Sequence, residues 1–181
     1  PTDVEGRILD RAEGVPLYAV ETVRMLLDRG LITREGNVYR ATAAIDDLEV
    51  PETLHALVAA RLDSLPAGER RLVECGAVLG KDFTKQGLAA VSGVPEAELE
   101  VLLTALLGKD IVSVQADPRS PERGQYSFLQ DIVKRVAYDT ISRRERKAKH
   151  LAAAEFLRSG ASADEDEIVA LTYFWEEFYE R

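Results

Sequence analysis

Ile111-Val112-Ser113-Val114 and Gln125-Tyr126-Ser127-Phe128 alternate in character as two paired strands do, and the turn-rich stretch Asp117–Gly124 joins them. Three short segments of helical spacing come before this hairpin: Pro66–Leu79, Thr84–Ser92 and Pro95–Leu107. Three helices followed by a hairpin is the winged-helix order. The expected fold class is therefore mainly α, with small β-hairpins.

Upstream, Thr2 and Asp3 can cap a helix carrying Val4, Ile8, Leu9 and Ala12, which should stop at Gly14. Pro16 suits the start of a second helix, with Leu17, Val20, Val23, Leu26 and Leu27 on one face and an end at Gly30. Residues 31–40 read as a small hairpin around Glu35-Gly36-Asn37, and 41–50 as a loop. Pro51 then opens a helix to about Leu65, with Leu54, Leu57, Val58, Ala60 and Leu62 as its apolar positions. Downstream, Asp131 caps a helix bearing Ile132, Val133, Val136 and Ala137, and Arg143–Leu157 forms another. Gly160–Asp164 reads as a hinge, and Glu165–Glu180 as a last, aromatic-rich helix. Three regions are expected: 1–50, a helical lid subdomain with a hairpin; 51–130, a winged helix; and 131–181, helices leading into a repeat region.

The 181 residues are 46% hydrophobic and 30% charged, the fractions of a soluble globular protein, and with a single cysteine a cytoplasmic home is expected. No apolar run is long enough for a membrane span, and no signal peptide opens the chain. The net charge of −9 is unevenly spread, with a basic stretch at 131–160 and a strongly acidic one at 161–181. An acidic body repels phosphate backbones, so a nucleic-acid partner would need the 131–160 patch. The start at Pro1 and the end inside an aromatic stretch read as those of an excised fragment.

Motifs for catalysis are missing. A phosphate loop needs Gly-x4-Gly-Lys-Ser/Thr, so that backbone N–H groups wrap phosphate and a hydroxyl meets magnesium. Gly76-x3-Gly80-Lys81-Asp82 is one residue short, ends in a carboxylate and follows a helix, so Gly80 reads as a helix end. His55 and His150 have no metal-ligand spacing, and the single cysteine, Cys75, lies in an apolar stretch where a buried thiol is expected. No Gly-x-Ser-x-Gly elbow is present. The helix–Gly14-Val15-Pro16–helix turn stands out, since glycine permits a sharp reversal and proline offers a fixed apolar ring.

Three blocks, in order, carry a resemblance. The run Ile8-Leu9-Asp10-Arg11-Ala12-Glu13-Gly14-Val15-Pro16-Leu17-Tyr18-Ala19-Val20-Glu21 resembles the helical lid of STAND/AAA-type signal-transduction ATPases. Val50–Pro66 is similar to the segment that joins lid to winged helix in that family. Tyr126–Tyr138, with Arg144-Glu145-Arg146 and His150, resembles the block that leads into TPR-like repeats. Together they span most of residues 5–158. The nearest subgroup accompanies class III nucleotide-cyclase or LuxR-type output domains. The resemblance implies that Pro16, shaped by Gly14 and Val15, lies against the adenine of ATP or ADP. It implies a phosphate-side contact at Gln130, where the family often has a histidine; Gln donates a hydrogen bond but carries no charge. It also implies that the P-loop core with its magnesium lies upstream, so that this portion is no enzyme and holds no cofactor alone. Its partners would be that core and downstream helical repeats.

DNA binding and helical scaffolding are the alternatives. The segment at the place of a recognition helix, Pro95–Leu107, bears Glu96, Glu98 and Glu100 and no cation, which is adverse to major-groove reading. The basic residues Arg143, Arg144, Arg146, Lys147 and Lys149 form one candidate interaction surface. The aromatic residues Tyr173, Phe174 and Trp175 form another, expected to meet following repeats or a second copy of the chain.

Overall fold

The computed structural model describes residues 2–36, 38–42, 51–116, 119–121 and 123–159, and it divides into two compact units, one ending at Pro66 and one beginning at Ala67. It is mainly helical, with small antiparallel hairpins, as the periodicity predicts.

In the first unit, helix α1 (Thr2–Ala12) turns into α2 (Pro16–Asp28) through consecutive left-handed residues, Glu13 at φ 46° and Gly14 at φ 80°. The Val15 N–H donates to the Ala12 carbonyl at 2.7 Å and closes the corner. Strands β1 (Ile32–Glu35) and β2 (Val38–Ala41) pair antiparallel from Ile32↔Ala41 to Glu35↔Val38, with only Ile32 buried. Helix α3 (Leu54–Asp63) packs on α2. It opens at Leu54 and not at Pro51, because the Thr53 hydroxyl accepts the Ala56 N–H at 3.1 Å. The Pro51 carbonyl instead accepts the Tyr18 hydroxyl at 2.6 Å.

The core of this unit gathers Ala12, Tyr18, Met25, Leu26, Ile32 and Leu57. The buried face of α2 is Tyr18, Glu21, Thr22, Met25 and Leu26, rotated about one residue from the purely apolar stripe read in the sequence. Val20, assigned to that stripe, is 43% exposed.

The second unit begins with α4 (Ala67–Leu79), β3 (Asp82–Phe83), α5 (Lys85–Ser92) and α6 (Glu96–Gly108). It continues with β4 (Val112–Val114), β5 (Tyr126–Phe128), α7 (Asp131–Thr140) and α8 (Arg143–Ser159). The strands run in the order β3-β5-β4, all antiparallel, with Asp82↔Ser127 and Val112↔Phe128 in register. Two residues are too short to show a strand period, so β3 is not predicted; it pairs with β5 and adds a third strand to the expected hairpin. Thr84 caps α5 by accepting the Gly87 N–H at 3.1 Å, and Gly93, left-handed at φ 67°, ends it. Gln130 is the N-cap residue of α7, and Asp131 is the first helical residue, one position past its expected capping place.

Helix α4 is the hub, contacting α5, α6, α7 and α8. Phe83 and Phe128 meet edge to face at 5.5 Å beneath it, and Phe83 stacks with Tyr126 at 6.2 Å. Gly76 admits them: a Cβ there would lie 3.0 Å from the Phe83 ring.

The division after Pro66 moves the boundary expected at 50, because α3 packs with α2. No boundary falls at 130 either, since α7 and α8 pack on α4 within the second unit. The expected hinge Gly160–Asp164 and last helix Glu165–Glu180 lie outside the described residues.

Candidate functional site

The turn from Glu13 to Pro16 offers its apolar edge to solvent. Val15 is 47% exposed, and Pro16, the first residue of α2, is exposed as well. Pro16 needs no partner there, because an N–H in the first helical turn has no carbonyl to reach. The Tyr18 N–H donates to the Val15 carbonyl at 3.1 Å, so the helix grows directly out of the turn. Gly14, Val15 and Pro16 thus stand together as one small apolar prominence whose backbone is fixed by α1 and α2.

Farther along α2 lies a charged network. Glu21 is fully buried and Arg61 nearly so. The Arg61 Nη1 donates to Glu21 Oε2 at 2.8 Å, and its Nε to Asp28 Oδ2 at 3.0 Å. Arg24 Nη1 meets the other oxygen, Glu21 Oε1, at 2.8 Å. One guanidinium therefore bridges two carboxylates that are two turns apart on α2, and fixes the register of α3 along it. Sequence reading missed these residues because it sought apolar positions. The signal was present: Glu21, Arg24 and Asp28 recur at helical spacing within an otherwise apolar helix.

Gln130, the second expected contact, belongs to the other unit. Its Oε1 is shielded from solvent and accepts no hydrogen bond among the described residues. Its own carbonyl accepts the Val133 N–H at 3.1 Å, starting α7. Lys81 pairs with the neighbouring Asp131 at 3.4 Å. The near-match Gly76–Asp82 forms no phosphate cradle, since residues 76–79 are helical and Gly80 ends the helix at φ 139°.

The five basic residues of 143–149 do not share one surface. Arg143, Arg144 and Lys147 are exposed, but Arg146 turns inward. Its Nη2 donates to the Tyr138 and Ile141 carbonyls at 3.0 and 3.2 Å, and its guanidinium lies 4.2 Å from the Tyr138 ring centre. Lys149 also turns inward, donating to the Cys75 thiol at 3.3 Å and lying 3.7 Å from Glu74. The surface expected from five cations is therefore narrower, because two of them tie α8 to α7 and α4. Burial pushes the Cys75 thiol up, and nearby Lys149 partly offsets this. The Tyr138 hydroxyl and His150 Nε2 are 3.0 Å apart; burial, then the Arg146 charge, holds the imidazole below its ordinary value.

Lys85 meets Glu96 at 3.2 Å and Glu100 at 3.1 Å. The hydrogen bonds that the Lys85 ammonium donates to Glu100 and then Glu96 raise it above its usual range. Helix α6 thus presents carboxylates, and the nearest cation is spent on them. Among the described residues, no group of three His, Cys, Asp or Glu is placed to hold a metal ion, and no helix is long and apolar enough to cross a membrane. Tyr173, Phe174 and Trp175 lie outside the described residues. Compared with known proteins, the chain matches no family model, no curated protein and no solved structure.

Proposed function

We propose that this chain is the non-catalytic relay portion of an ATP-dependent signal-transduction ATPase of the STAND type. It would couple the nucleotide state of a P-loop core to an output such as a nucleotide cyclase or a transcription regulator. The observation that carries the reading is the exposed Gly14-Val15-Pro16 turn at the head of a helix that Arg61 locks to α3. In this reading Pro16 lies on the adenine of ATP or ADP. Magnesium and the hydrolytic groups belong to the core. Exchange of ADP for ATP then shifts the orientation of core and relay. We place the protein in the cytoplasm, with the core and helical repeats as partners.

The acidic face of α6 favours this relay over a DNA reader. In the protein that carries the P-loop, Pro16→Gly should weaken ATP and ADP affinity while leaving the fold intact. Unchanged affinity would remove Pro16 from the site. Calorimetry on the 181-residue chain should find no tight nucleotide binding, and tight low-salt binding to random duplex DNA would overturn the reading.

A further inference from the structure

We propose that the outer face of α6 docks on the outer face of α8 in a second copy of this chain, so that copies join head to tail. Both helices belong to the second unit and pack inward on α4 and α5, which leaves each a solvent face of its own. On α6 that face is Ala97, Val101 and Thr104, all exposed, with Val101 at 69%. Carboxylates border it. Glu96 and Glu100 share the Lys85 ammonium, and Glu98 makes no ion pair among the described residues. Three carboxylates against one ammonium leave the face negative.

On α8 the matching face is Arg144, Ala148 and Leu151, all exposed, with the exposed Arg143 beside them. Neither guanidinium makes an ion pair or a hydrogen bond among the described residues. Both stand in the first turn of α8, where a cation opposes the helix dipole, so they weaken that helix rather than support it. The two faces match in spacing as well as in charge. With the helices parallel and Glu96 level with Arg143, Val101 comes level with Ala148, and Thr104 with Leu151, because both faces repeat the same intervals. Each large apolar side chain then meets a small one, while Glu96, Glu98 and Glu100 border Arg143 and Arg144. The face that docks differs from the face that receives, so the contact is heterologous and leaves one face free at each end. A single helix pair is a small interface, below about 1,200 Å² in total, and its association is weak and concentration-dependent. It requires no nucleotide.

Sedimentation equilibrium of the 181-residue chain at low salt tests this. The weight-average mass should at least double as the protein is concentrated, and should return to that of the monomer on dilution or in high salt. Two variants remove one face each: Glu98→Gln with Val101→Arg on α6, and Arg143→Gln with Arg144→Gln on α8. All four side chains are exposed, so circular dichroism should be unchanged. Each variant alone should stay monomeric where the parent associates. Mixed in equal amounts, they hold one intact face each and should form a heterodimer that grows no further. A parent that is monomeric throughout overturns the proposal. A variant that still associates alone also overturns it, and assigns the contact to another surface. A mixture that stays monomeric overturns it too, since the two faces then do not meet.

Discussion

Glu21 and Arg61 in the first unit are as deeply buried as Leu72 and Phe128 in the second, yet the two interiors are held in different ways. Between α2 and α3, one guanidinium spans two carboxylates, and the directions of its N–H bonds set where one helix lies along the other. Around α4, two phenylalanine rings close on a glycine, and the limit is how near they can come. Charge pairing specifies register, but it stakes stability on every partner being present. Ring packing stakes nothing on partners, but it leaves no space to spare. The charged interior is the one that sets a fixed register between α2 and α3.

The largest effect should come from removing one partner of the charged interior. Arg61→Ala leaves Glu21 buried with Arg24 alone and deprives Asp28 of its contact, at a cost of about 3–5 kcal/mol. Amide exchange in α2 and α3 should accelerate strongly, while exchange in α4 stays unchanged. Glu21→Leu combined with Arg61→Met removes both buried charges and should recover most of that loss. A double variant no better than the single one would break the contrast between the units. Around α4 the sensitivity is to volume. Gly76→Val drives branched carbon into the Phe83 and Phe128 rings and should cost about 1–3 kcal/mol, despite the gain in helix propensity over glycine. Thermal unfolding measures it, and an unchanged midpoint would mean that the rings yield.

The contrast also explains what the sequence disclosed. Helical spacing and the Gly14 and Gly93 punctuation place most elements, because local backbone preference and tertiary packing agree there. Leu57, Val58 and Leu62 on α3 are buried as their spacing predicts. Arg61, on the same helix, is not among the positions its spacing marks for burial, because an arginine's burial depends on a carboxylate forty residues away that no local pattern names. Arg146 and Lys149 were assigned to a basic surface for the same reason; their partners, Tyr138 and Cys75, come from other helices. The candidate turn was legible because its chemistry is local: glycine, an apolar residue and proline in consecutive positions.

A smaller effect should come from the half-buried imidazole that the second unit places beside a cation. His150 is held below its ordinary value by burial first and by Arg146 second. The unfolded chain, where the value is near 6.5, therefore binds this proton more readily than the folded one. Linkage then gives the sign: the site's stability is fully present above pH 6.5 and is lost as pH falls toward the lowered folded value. His150→Gln keeps a polar side chain facing the Tyr138 hydroxyl but cannot take up the proton. Urea midpoints of the parent and the variant should therefore run parallel above pH 6.5 and converge or cross below it, as only the parent loses this contribution. A constant difference across the range would mean that the imidazole is reached by water in the folded chain. Arg146 would then cap α7 without setting the charge state of its neighbour. Arg146→Met in the His150 parent tests that point directly, since removing the guanidinium should let His150 protonate more readily and shrink the acid loss.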